Sequence, residues 1–182
     1  MVNYSLNDLE RIKKECRRMV IRRATASGGA AIVPFPGTDF LADVSMLMQL
    51  LPAINQKFGL SEEQLSGLDS RTKAYIYGYI TAIGSRTIGK IISREIVLQL
   101  MKKVGIRVAS KQVVKYVPLV GQGMAAALSF SAMRHAGNSH INDCYEVARK
   151  IIEQQNEAWA LNGEPVVIPL EASQERRFAW KI

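Results

Sequence analysis

The chain reads as all-α, a single-domain helical bundle of about five to seven helices, and three observations lead there. Its apolar residues recur in steps of three and four along most of its length, the spacing of a helix face. No stretch shows the strand–helix alternation of an α/β fold. Its Pro, Gly and capping residues stand where helices begin and end, above all in two Val-Pro-x-x-Gly units that each lead into an apolar helical run.

The first helix follows from Leu6, Leu9, Ile12, Cys16, Met19 and Val20, which share one face, while Arg11, Lys13, Lys14, Arg17, Arg18 and Arg22 occupy the other. A basic amphipathic helix of this kind can lie on a membrane or cover a partner groove. It can equally pack on its own domain with its cations in water. The run from Ala24 to Val33 is made of small residues that admit a close helix neighbour, and Pro34, Pro36 and Gly37 then end the helix. Thr38 or Asp39 is the expected N-cap of the next helix, carried by Phe40, Leu41, Val44, Leu47, Met48 and Leu51 to near Gly59, with a kink expected at Pro52.

Ser61-Glu-Glu-Gln64 has the form of a capping box and starts a short helix. Asp69 or Ser70 opens a longer one. Ile76, Ile80, Ile83, Ile88, Ile91, Ile92, Ile96, Leu100 and Val104 continue the helical spacing, with a break expected between Gly84 and Gly89. Lys103, Arg107, Lys111 and Lys115 recur every four residues and form one basic stripe, provided that Gly105 leaves the helix intact.

The second unit, around Pro118 and Gly121, precedes another apolar run, and Asn138 or Ser139 is expected to cap a last helix that reaches about Trp159. Residues 1–160 are thus expected to form the helical domain. Residues 161–182, with Pro165 and Pro169, read as an extended tail.

At 182 residues the chain suits one domain, and with 48% apolar and 22% charged residues it is neither disordered nor fibrous. Cys16 and Cys144 supply no disulfide framework, so a reducing, cytoplasmic setting is the expectation. The N-terminus has no secretory signal pattern. Tyr116 to Met133 is uncharged but interrupted by Pro118 and rich in small residues, which favours a buried hairpin over a membrane span.

The charge of +8 is unevenly distributed: residues 1–23 carry seven Lys/Arg against three acids, and residues 85–115 carry eight against one. Cations beside apolar segments suit an anionic lipid surface or an acidic protein surface. Nucleic acid suits them less, because both segments lack a stacking platform of aromatic side chains. The expected contacts are Arg17, Arg18, Arg22 and Arg23, with Lys103, Arg107, Lys111 and Lys115 as a second set.

Catalytic patterns are weak. Gly84-Ser-Arg-Thr-Ile-Gly-Lys90 has the spacing of a phosphate-binding loop, but Ile91 stands where Ser or Thr would hold Mg²⁺. His135, His140, Asp143 and Cys144 cluster without the spacing of a zinc site. Asp39 and Asp43 lie one helical turn apart and read as a cap and a polar face. With two histidines and no nucleophile elbow, the sequence points to a non-enzyme without cofactor or metal.

The run Arg17-Arg-Met-Val-Ile-Arg-Arg-Ala-Thr-Ala-Ser-Gly-Gly-Ala-Ala-Ile-Val-Pro-Phe-Pro-Gly-Thr-Asp39, with Val117-Pro-Leu-Val-Gly-Gln-Gly-Met-Ala-Ala-Ala-Leu128, resembles the YcjF-like helical family of unknown function. The resemblance covers about residues 15–155. Members occur C-terminal to bacterial Era-like or dynamin-like GTPases or stand alone. It implies an all-helical fold that tends toward membranes and the neighbourhood of a GTPase, and it supplies no catalytic residues. This sequence contains no G domain. Self-association is a further expectation for a bundle with apolar faces.

Overall fold

The computed structural model describes residues 5–30, 38–109 and 117–162, and there the chain forms six helices and no strand. They are α1 (Leu6–Ala30), α2 (Thr38–Lys57), α3 (Glu62–Ser66), α4 (Ser70–Ile83), α5 (Arg94–Ala109) and α6 (Val117–Asn162). The all-α bundle is therefore correct.

The local chemistry accounts for several boundaries. Asp8 receives the backbone N–H and the hydroxyl of Ser5 at the start of α1. Ser61 caps α3 reciprocally with Gln64, its hydroxyl accepting the Gln64 N–H while the Gln64 side chain accepts the Ser61 N–H. Asp69 caps α4 by accepting from the N–H groups of Arg71 and Thr72, and Gly84, in the left-handed region, ends it. Pro52 lies inside α2, which continues for five further residues before Gly59 turns the chain.

One expectation needs correction. Asn138 and Ser139 do not cap a helix: both lie in the middle of α6, a continuous 46-residue helix that runs past Trp159 to Asn162. Local propensity there is poor, but Met133, Ala136, Ile141 and Cys144 are all buried on either side, and that packing carries the helix through. Pro118 of the second Val-Pro unit sits inside the first turn of α6, where its missing N–H leaves no helical bond unmade. Pro34, Pro36 and Gly37 lie outside the described residues, as does the tail beyond Asn162.

The long α6 is the spine of the core. Helix α1 packs along it and also on α2, while α4 and α5 pack on α6 as well. Leu9, Cys16, Val20 and Ala24 turn inward from α1 to meet Leu47, Leu51 and Ile54 of α2 and Met133, Ile141, Val147 and Ile151 of α6 in one apolar cluster. No helix among the described residues is long and apolar enough to cross a membrane, so the spanning alternative fails for them.

Candidate functional site

The cations of α1 separate by what its acids do. Asp8 pairs with Arg11 at 2.8 Å, Glu15 with Lys57 of α2 at 2.9 Å, and Glu10 accepts the Tyr145 hydroxyl of α6 at 2.6 Å. That hydroxyl, together with nearby lysines, holds the Glu10 carboxyl below its usual range, as the Ser5 groups do first of all for Asp8. Lys13 lies over the Tyr145 ring at 3.7 Å from its centroid. All three acids of α1 are thus engaged. Lys14, Arg17, Arg18 and Arg22 remain exposed and in no ion pair among the described residues, although Lys14 and Arg17 lie near enough to Glu10 to help hold its carboxyl down.

Ile21 is 48% exposed and stands beside them, one turn after Arg17 and Arg18. Arg23, expected in the same set, is different: it is half-buried and donates to Gln49 Oε1 of α2 at 3.1 Å. The outward basic face of α1 is therefore Lys14, Arg17, Arg18 and Arg22.

The second expected set is dispersed. Lys103 is exposed on α5 and close enough to Asp143 of α6 to oppose the rise that burial imposes on that carboxyl. Helix α5 passes through Gly105 and includes Arg107, whose side chain lies outside the described residues, as do Lys111 and Lys115 altogether. Asp39, Pro118 and Gly121 fall on described helical backbone, at the starts of α2 and α6. Asp43 is buried and accepts from Ser129 of α6.

A buried polar network crosses the bundle. Asn55 Nδ2 donates to the Thr87 carbonyl at 2.8 Å, the Thr87 hydroxyl lies 2.9 Å from His140 Nδ1, and the Cys144 thiol donates to Asn55 Oδ1 at 3.4 Å. Cys144 Sγ is 3.6 Å from His140 Nε2. Each of these buried side chains thus has a polar partner within the network.

Burial lowers the His140 pKa to about 4, against an opposing contact from the Leu51 carbonyl, and pushes the Cys144 thiol well up. At neutral pH the pair is therefore imidazole and thiol, the inert combination rather than thiolate and imidazolium. The network ties α2, α6 and the α4–α5 connection together. No group of three or more His, Cys, Asp or Glu that could hold a metal is present among the described residues.

The segment with phosphate-loop spacing is that α4–α5 connection. It follows a helix, not a strand, and the Gly89 N–H is committed to the Leu60 carbonyl at 3.1 Å. Sequence reasoning missed what its outer side carries: Arg86, Lys90 and Arg94 are exposed, and Ile91 is 76% exposed. The basic excess of this region was visible in the sequence, but the exposure of the isoleucine was not.

No family model matches the chain, and no curated protein or solved structure matches it either.

Proposed function

We propose that the chain is a non-enzymatic helical module that attaches to the cytoplasmic face of a membrane through the outward face of α1. The observation that carries this reading is that every α1 acid has an intramolecular hydrogen-bond or ion-pair partner, while Lys14, Arg17, Arg18 and Arg22 are exposed and in no ion pair among the described residues, Lys14 and Arg17 lying near the Glu10 carboxylate. Four neighbouring cations on a rigid helix attract anionic headgroups by roughly 1 kcal/mol each. Ile21 in their midst offers an apolar contact at the headgroup boundary. The resemblance to the YcjF-like family adds the expectation that the module serves a GTPase supplied by another chain.

Co-sedimentation with vesicles tests it. The parent should bind phosphatidylglycerol-containing vesicles, ignore pure phosphatidylcholine and be released by salt. Replacing Lys14, Arg17, Arg18 and Arg22 by Glu should weaken binding by about a hundredfold or more. If the variant sediments as the parent does, α1 is not the contact. If the parent ignores lipid at low salt, the basic face belongs to a soluble module that binds an acidic protein surface.

A further inference from the structure

The α4–α5 connection is held more firmly than a linker requires. Asn55 bonds the Thr87 carbonyl, His140 the Thr87 hydroxyl, Leu60 the Gly89 N–H, and the Tyr77 hydroxyl the Gly89 carbonyl at 3.2 Å. Ile88 is fully buried beneath it. Gly89, at φ +66°, lies so close to the core that a Cβ would stand 2.7 Å from Leu65 Cδ1. Every polar group named here faces inward. What faces outward is a bare isoleucine with three cations: Ile91 with Arg86, Lys90 and Arg94. None of the three is in an ion pair among the described residues; Glu95, next to Arg94 in sequence, is engaged chiefly by Ser93, with Arg94 as a weaker electrostatic neighbour.

The residues of this connection are not those of the α1 face: Arg86, Lys90 and Ile91 lie between α4 and α5, and Arg94 opens α5.

We propose that this connection is a second lipid-binding element, in which Ile91 enters the headgroup boundary of an anionic bilayer and Arg86, Lys90 and Arg94 hold phosphates around it. A single exposed apolar residue with exposed cations close to it in sequence is too little for the apolar centre of a stable protein interface. It meets the needs of a bilayer, which asks for charge and a shallow insertion. These four residues are distinct from the cations of α1, so the two contacts can be tested separately.

The test is made in the background in which Lys14, Arg17, Arg18 and Arg22 are already Glu, so that only the connection is measured. That protein should still bind phosphatidylglycerol vesicles at low salt. Adding Ile91→Ser should weaken binding about tenfold and leave its salt dependence unchanged. Adding Arg86→Glu, Lys90→Glu and Arg94→Glu should weaken it on the order of a hundredfold. All four side chains are exposed, so thermal melts should match the background. The proposal is overturned if the background protein does not bind vesicles, if the added changes leave its binding intact, or if it ignores lipid while binding immobilised polyglutamate, which would assign the connection to an acidic protein. Failure of the α1 reading looks different, because reversing α1 alone would then leave parent binding unchanged.

Discussion

Gly137 of α6 lies directly beneath Val20 of α1: a Cβ built on the glycine would stand 2.6 Å from Val20 Cγ2 and 2.9 Å from Cγ1. The absence of a side chain at one position sets how closely the two helices of the core approach. Val20 is β-branched and fully buried, so it has no alternative rotamer by which to yield.

Gly137→Ala should therefore destabilise the protein, although alanine is the better helix former by about 1 kcal/mol. Overpacking against a stiff neighbour costs about 1–3 kcal/mol and outweighs that gain. Urea unfolding measures the difference. Val20→Ala alone also destabilises, by leaving a cavity, but combined with Gly137→Ala it should cost less than the sum of the two single changes. Additive effects would mean that the helices do not touch here.

The same contact shows where sequence reasoning stopped. Boundaries set by neighbours in sequence were legible: the Ser61/Gln64 box, the Asp69 cap and the break after Gly84 all depend on partners within a few residues. The Gly137-Asn-Ser139 stretch looked like a helix start because its local chemistry favours one. Its continuity depends on Val20, more than a hundred residues away. The α1 face was half legible. Periodicity identified the outward cations, but it did not reveal that Arg23 turns to Gln49 or that Glu10 and Glu15 are taken up by Tyr145 and Lys57. Thr87 and His140, 53 residues apart, were invisible as a pair.

His140 should make the fold acid-sensitive. Its pKa falls to about 4 in the folded state from an ordinary value near 6.5, so the unfolded chain takes up the proton first. The stability it contributes is complete above about pH 6.5 and is lost as pH falls toward 4, by on the order of 3 kcal/mol in total. Unfolding midpoints in urea across that window should fall with pH. In His140→Gln the protein should be weaker at pH 7.5 but should show a flatter slope between pH 6.5 and 4. An unchanged slope would place the acid sensitivity elsewhere.

Asn55 is bonded at both ends of its amide, to the Thr87 carbonyl and to the Cys144 thiol. Asn55→Ala strands both buried groups and should cost about 1–3 kcal/mol. Hydrogen exchange distinguishes this from simple loss of packing. The Gly89 N–H, bonded to Leu60 beneath the connection, should lose protection more than the amides in the middle of α6 do. Equal loss at both would mean that Asn55 supports the whole core and not the connection in particular.

The two cysteines should be silent in the native state. Both are fully buried, and burial above all pushes the Cys16 thiol to about 12 and the Cys144 thiol well above its usual value. An aromatic disulfide reagent at pH 7.5 should label neither thiol in the folded protein within minutes and both at once in guanidinium. The raised values also carry a sign for alkaline stability. Each thiol is neutral when folded, so its contribution is complete below the unfolded pKa near 8.5 and is lost as pH rises beyond it, when only the unfolded chain ionises. Between pH 7.5 and 10 the parent should therefore lose more stability than a Cys16→Ala/Cys144→Ala variant, whose starting stability is lower. The difference between the two slopes isolates the thiols from the tyrosines and lysines that titrate in the same range. Equal slopes, or rapid labelling of either thiol in the folded protein, would show that solvent reaches the interface between α1 and α6 on which the whole bundle is built.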